Sequence, residues 1–184
     1  MAISRIALAV AAAAMMAGGN AALAKNPMVG GAAMYETKNI VENAANSKDH
    51  TTLVAAVKAA GLVDVLASPG PFTIFAPTDT AFAKLPDGTV ATLVQPENKG
   101  TLTTILTYHA VAGNVTSTDL VNLIKQHGGS ATIETVAGEK LTARLSGDTI
   151  VITDGKGRAT AVTQADVMTS NGVIHVTDGV FLPA

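Results

Sequence analysis

The sequence predicts an α+β domain. From about Asn39 to Gln126 apolar residues recur at helical spacing, whereas past Gly129 they alternate with polar residues as in half-buried strands. Helices first and strands last favour α+β over α/β, which would interleave the two. A third observation comes from the aromatic side chains, of which there are only six. Phe72, Phe75, Phe82 and Phe181 lie in two stretches about a hundred residues apart, and Tyr108 stands between them. Large rings in such small number are expected to anchor one core that joins the middle of the chain to its end.

Residues 25–35 read as a flexible lead-in lying on the domain, because Pro27, Gly30 and Gly31 interrupt any pattern around Met28, Val29 and Met34. Helical spacing then begins. Ile40 and Ala44 share a face, followed by Leu53, Val54 and Val57, and then by Leu62, Val65 and Leu66. Thr51 or Thr52 is a candidate cap for the second segment, and Gly61 its end. Ser68-Pro69-Gly70-Pro71 is a firm stop, Phe72 to Phe75 reads as a strand, and Pro77 ends it. Thr78 or Asp79 suits an N-cap before Ala81, Phe82 and Leu85.

The clearest helix covers about 101–107, with Leu102, Ile105 and Leu106 on one face and His109 continuing the stripe. Ser117 is a candidate cap for a helix carrying Leu120, Leu123 and Ile124, which Gly128-Gly129 ends. Beyond it Leu141, Ala143 and Leu145, then Ile150 and Ile152, alternate as strands joined by a Ser146-Gly147-Asp148 turn. Asp154-Gly155-Lys156-Gly157 is a second turn. Strands over 158–162 and 173–177 complete the set.

Composition narrows the function. Arg5, the uncharged apolar run 6–17 and the small-residue pattern Ala22-Leu23-Ala24 read as a signal peptide over 1–24, cleaved after Ala24. The run is short for a membrane span, which needs ~20 apolar residues. The exported chain is thus expected in the periplasm or outside the cell, with no stable membrane insertion. Without that segment the chain has 11 Lys+Arg against 14 Asp+Glu, a formal charge of −3. Nucleic-acid surfaces are markedly basic, so this balance argues against such a partner. The absence of cysteine removes disulfides, thiolate catalysis, thiolate metal sites and a lipid on an N-terminal cysteine.

Motifs for catalysis are lacking. None of His50, His109, His127 and His175 has a neighbour at zinc-site spacing, and there is no Gly-x-Ser-x-Gly elbow, phosphate-cradling loop or dinucleotide fingerprint. A folded cluster of His109, His175 and Asp178 is the histidine-based metal alternative, and an Asp166–Asp178 pair the acid/base alternative. The simpler reading is structural. His109 continues an apolar stripe, and His175 shares a strand face with Val173 and Thr177, so each imidazole needs internal hydrogen-bond partners. No enzyme activity, cofactor or metal is expected.

Three ordered motifs, 72–86, Tyr108-His109 and 171–183, closely resemble the first box, the Tyr-His element and the second box of the fasciclin I domain. The resemblance spans residues 36–184. It implies a twisted, wedge-like β-sandwich flanked by helices from the N-terminal half. It also implies a non-catalytic role in adhesion or extracellular contact, with a cell-surface or matrix protein or glycan as partner. The box residues Phe75, Pro77, Thr78, Asp79, Phe82, Asn171, Gly172, His175 and Asp178 are then structural. Contact residues carried over from the family are Asp166, Val167 and Met168, just ahead of the second box, together with Tyr108 and His109. A single such domain is expected to be a monomer or to self-associate weakly. The alternative reading is a periplasmic carrier of a small apolar ligand, suggested by the 48% hydrophobic composition.

Overall fold

The computed structural model describes residues 26–184; the expected signal segment, 1–24, lies outside them. A short hairpin comes first, β1 (Met28–Val29) and β2 (Ala32–Ala33). Three helices follow, α1 (Ile40–Asn46), α2 (Thr51–Ala60) and α3 (Val63–Ala67), and then β3 (Phe72–Pro77). The middle of the chain holds α4 (Asp79–Ala83), α5 (Thr89–Leu93), α6 (Lys99–Tyr108), β4 (Ala110–Ala112) and α7 (Ser117–Gln126). The rear is all strand: β5 (Ser130–Glu134), β6 (Lys140–Ser146), β7 (Thr149–Thr153), β8 (Ala159–Thr169) and β9 (Gly172–Thr177). The α+β class is therefore observed.

Seven strands form one sheet in the order β4-β3-β9-β8-β7-β6-β5, with β3 and β9 parallel and every other pair antiparallel. Strand β8 belongs to both halves. Its first three residues pair with β7, and from Val162 onward it pairs with β9 through two irregular steps between Val162 and Val167. Bulges of this kind bend a strand and increase its twist. The sheet curls so far that the Val136 N–H, just past β5, donates to the Ala110 carbonyl of β4 at 2.8 Å. This curl produces the wedge. One core lies under α1–α6 and is largely aliphatic; the other, under α7 and β5–β7, takes in Phe75, Tyr108 and Phe181.

Four local expectations need correction. The lead-in is a hairpin rather than a flexible strap: Val29 and Met34 are buried, and the Lys48 N–H bonds to the Gly30 carbonyl. Gly30 makes this possible, since its φ is +58° and a Cβ there would lie 2.4 Å from Ser47 Oγ. Neither Thr51 nor Thr52 caps α2. His50 occupies the cap position without a side-chain bond to the helix, and the carboxylate of Asp79 accepts from the Thr52 N–H (2.8 Å) and the Thr51 hydroxyl (2.6 Å) instead. Thr116, not Ser117, caps α7, in a capping box with Asp119. Finally, the expected helical run to Gln126 is interrupted by β4, whose three residues are too few to announce themselves by alternation.

Candidate functional site

The register places Phe75 of β3 beside His175 of β9, and their rings stack at 5.5 Å. Phe181 meets Phe75 edge-on at 5.5 Å, stacks on His109 at 4.8 Å and meets Tyr108 edge-on at 6.4 Å. All five rings are buried, so the two boxes and the Tyr-His pair form one continuous aromatic and imidazole cluster.

Polar atoms of the cluster have definite partners. The Nδ1–H of His109 donates to the Ile105 carbonyl (2.8 Å), while its Nε2 accepts from the Phe181 N–H (2.9 Å). Full burial disfavours the charged form and pushes this imidazole down to about 4. His175 holds its proton on the other nitrogen. Nε2–H donates to the Val115 carbonyl (2.8 Å), and Nδ1 accepts from the Asp166 N–H (3.3 Å). Burial likewise lowers its proton affinity. The Tyr108 hydroxyl accepts from the Gly155 N–H (2.7 Å) and donates to the Lys140 carbonyl (3.4 Å).

Around this cluster the other box residues tie elements together. Asn171 donates to the carbonyls of Leu66 and Ser68 and accepts from the Ile40 N–H, joining α1 and the end of α3 to the β8–β9 turn. Gly172 is required because a Cβ would sit only 1.8 Å from the Phe72 carbonyl oxygen. Thr78 caps α4. Asp79, partly desolvated, is nonetheless held below the usual carboxylate range by its bonds from Thr51 and Thr52. Pro77 ends β3, and Phe82 is buried in the aliphatic core. Asp178 accepts from the Ala161 N–H (2.9 Å) and faces Lys84 at 3.8 Å.

Residues 48–183 match the family described as the Fasciclin domain. The chain belongs to the fasciclin family. It is 47% identical over 161 residues to Protein sll1483 of a Synechocystis strain, covering 86% of this chain and 81% of that one. It is 35% identical over 145 residues to Immunogenic protein MPB70 of Mycobacterium bovis, covering 76% and 66%. Human periostin is 29% identical over 147 residues, which are 80% of this chain and 16% of periostin. Among solved structures, a fasciclin domain pair from the insect cell adhesion molecule Fasciclin I has the same fold, with a TM-score of 0.69 at 23% identity over 79% of this chain and 51% of that one.

Within the fasciclin domain, most of the expected contact residues lie beneath the surface. Tyr108, His109 and Val167 are buried, with 0%, 2% and 0% exposure, so none can meet a partner without opening the core. Asp166 is half-buried, and its carboxylate accepts both the backbone N–H (2.7 Å) and the hydroxyl of Ser117. Met168 is half-buried on β8. The alternative metal cluster is not assembled, because His109, His175 and Asp178 each bond elsewhere as described. Among the described residues there is no group of three or more His, Asp or Glu placed to hold a metal ion.

Three residues not among the expected site residues matter. Asp154 is buried and accepts from the N–H groups of Lys156, Arg158 and Leu182 and from Arg158 Nε, fastening the C-terminal segment. Thr73 accepts from the Val115 N–H and donates to the Gly113 carbonyl, and Ser117 meets Asp166, so both pin the segment leading into α7. An Asp-Gly turn pointed to Asp154, but nothing local marks the partners of Thr73 or Ser117.

Two concavities bear on binding. A groove of about 350 Å³ runs between the start of α7 and strands β7 and β8, bordered by Ser117, Val121, Asp148, Thr149, Ile150 and Thr163. An apolar cleft between α1 and α2, floored by Ile74 and His109, holds only about 30 Å³. Small-molecule sites occupy ~300–1,000 Å³, so this cleft does not supply what an apolar carrier needs. Among the described residues no helix is long and apolar enough to cross a membrane.

Proposed function

We propose that this fasciclin protein is an exported, non-catalytic adhesion module that attaches to a cell-surface or matrix protein or glycan. The supporting observation is the occupancy of its polar motif residues. The side chains of His109, His175, Asp79, Asp166, Asp178 and Asn171 are all bonded within the domain, mostly to backbone. Catalysis needs a nucleophile, acid or base free to act on a substrate, whereas His109 and His175 are buried and the carboxylates, including the half-exposed Asp178, are committed to bonds within the domain. Membership in a family that includes an insect cell adhesion molecule's fold supports the same reading.

With the Tyr-His pair and Val167 buried, the contact surface is assigned to the outer side of β8 around Met168 and to the groove beside it. That groove offers the carboxylate of Asp148 and the hydroxyl of Thr149 alongside Val121 and Ile150, a mixture suited to a polar ligand with one apolar face. One domain of this size binds weakly, and several copies displayed together raise avidity without new contacts.

The test is saturable binding of fluorescent protein to its native cell envelope, compared with Thr149→Arg. Thr149 is exposed, so the variant should keep its melting temperature while blocking the groove. Loss of binding in the variant is expected. No saturable binding by either protein would end the adhesion reading, whereas equal binding by both would move the contact away from the groove.

A further inference from the structure

Asp166 is the one non-glycine residue with positive φ among those described, at +59°. Such a conformation is costly for an L-residue and is kept only where its surroundings hold it. Here the holding bonds run through a single chain of contacts. The Asp166 N–H donates to His175 Nδ1, the Asp166 carboxylate accepts the first N–H and the hydroxyl of Ser117 in α7, and His175 Nε2–H donates to the Val115 carbonyl two residues before that helix. The start of α7 is thus fastened to β8 and β9 by one carboxylate and one imidazole.

We infer that His175, Asp166 and Ser117 form an acid-released latch on the N-terminus of α7. Its behaviour turns on where one proton goes. At neutral pH His175 Nδ1 is an acceptor, and the Asp166 N–H occupies it. Protonation adds a hydrogen to Nδ1, so two donors then face each other and the bond to Asp166 is lost. The Asp166 carboxylate is the charge that acts on the imidazole, so it is the group drawn toward the new Nδ1–H. Asp166 then lacks one of the bonds that hold its φ at +59°, and its relaxation toward the imidazolium draws the carboxylate away from Ser117. The Ser117 bonds to the carboxylate are charge-assisted as well, so the direction of the exchange comes from the loss of the Asp166 N–H bond and the relief of its positive φ.

The charged groups turned toward this site are few. β8 presents Asp166, the first turn of α7 presents Asp119, which is bonded to Thr116, and β3 presents only the uncharged Phe75 and Thr73. Asp166 is the charge that acts on His175, and it favours protonation, whereas burial opposes it more strongly. The latch is accordingly closed at neutral pH and opens below the ordinary histidine range. Ser117 and Val121 also border the 350 Å³ groove, so release of α7 alters the shape of that groove. The latch depends on α7 and its anchors and is independent of any partner.

Nuclear magnetic resonance of ¹⁵N-labelled protein across pH 7.5 to 4 tests it, following the Ser117 amide and the His175 ring together. One shared midpoint is expected, with the Ser117 amide exchanging with solvent at least ~10-fold faster on the acid side. In His175→Gln, whose amide can both donate and accept but cannot take up a proton, the Ser117 amide should stay flat over that interval. Asp166→Asn provides an independent check if the glutamine variant does not fold. It keeps an acceptor for Ser117 but removes the charge, so His175 should titrate lower and disturb Ser117 less than in the parent protein. A Ser117 amide unmoved through the His175 titration would overturn the latch. So would a Ser117 amide that titrates alike in His175→Gln, or a protein that unfolds before His175 takes up a proton.

Discussion

His109 and His175 occupy the same buried cluster on either side of Phe75 and Phe181, yet they are built for different behaviour. Each uses both ring nitrogens, with opposite tautomers: His109 donates from Nδ1 and His175 from Nε2. The partners of His109 are the Ile105 carbonyl and the Phe181 N–H, both neutral backbone groups. The one carboxylate that acts on it, Asp154, is already committed to the N–H groups of Lys156, Arg158 and Leu182. His175 is bonded instead to the backbone of Asp166, whose carboxylate lies close enough to act on it. One residue therefore pins the fold and can be protonated only at its expense, whereas the other has a second set of bonds available. The difference lies in the neighbours, since the side chains are the same.

Replacing His109 should have the largest effect. His109→Ala removes a ring stacked on Phe181 and leaves a buried carbonyl and a buried N–H without partners. Loss of a buried ring costs ~3–5 kcal/mol, and each orphaned polar group ~1–3 kcal/mol, so a loss of about 4 kcal/mol or more is expected in urea denaturation. His175→Ala should cost less, about 2–3 kcal/mol, because the loop at Val115 is nearer the surface and its carbonyl can turn to water. A larger loss at His175 would reverse the comparison.

Acid should act next. In the folded state His109 binds a proton only near pH 4, while in the unfolded chain it does so near 6.5. As pH falls below 6.5 the unfolded state takes up protons that the native state refuses, and stability declines until about 4, where the loss levels off. That interval corresponds to about 3 kcal/mol. Denaturation midpoints measured from pH 7 to 4 should show this slope, and His109→Gln should remove most of it. If the slope survives in His109→Gln, the acid sensitivity belongs elsewhere, with His50 and His175 next in line because burial lowers both.

Much of this architecture is visible in the residue order, and what is not has a physical explanation. Helical spacing announces α2, α6 and α7, and alternation with turn residues announces β6, β7 and the Gly147-Asp148 hairpin, because those signals are local. The burial of His109 follows from its place on the stripe of Leu102, Ile105 and Leu106. Long-range capping escapes such signals. Asp79 looks in sequence like the opening of its own helix, whereas its carboxylate stabilises α2 from 27 residues away. The same applies to Asp166, which the family resemblance marks as a contact. Its distinguishing property is a backbone conformation created by the irregular steps of β8, and no spacing of residues reports that. Val167 misleads for a related reason: those steps set which side chains of β8 turn inward.

The smallest expected effect isolates what holds Asp166 in place. Its contribution has two opposing parts, a carboxylate that anchors Ser117 and a φ of +59° that disfavours any residue with a Cβ. Asp166→Ala removes the anchor and keeps the strain. Asp166→Gly removes the anchor and also the strain, since glycine adopts this region without steric penalty. The glycine variant should therefore be more stable than the alanine variant by about 1 kcal/mol, even though glycine ordinarily loses more entropy on folding. Because Thr116 and Asp119 already cap α7, both variants should remain folded, so the difference can be read from denaturant midpoints. An alanine variant as stable as the glycine one would mean that β8 relaxes out of the positive-φ conformation once the carboxylate is gone. The bond to Ser117 would then be the cause of that conformation, and the His175 side of the latch would contribute little to holding it.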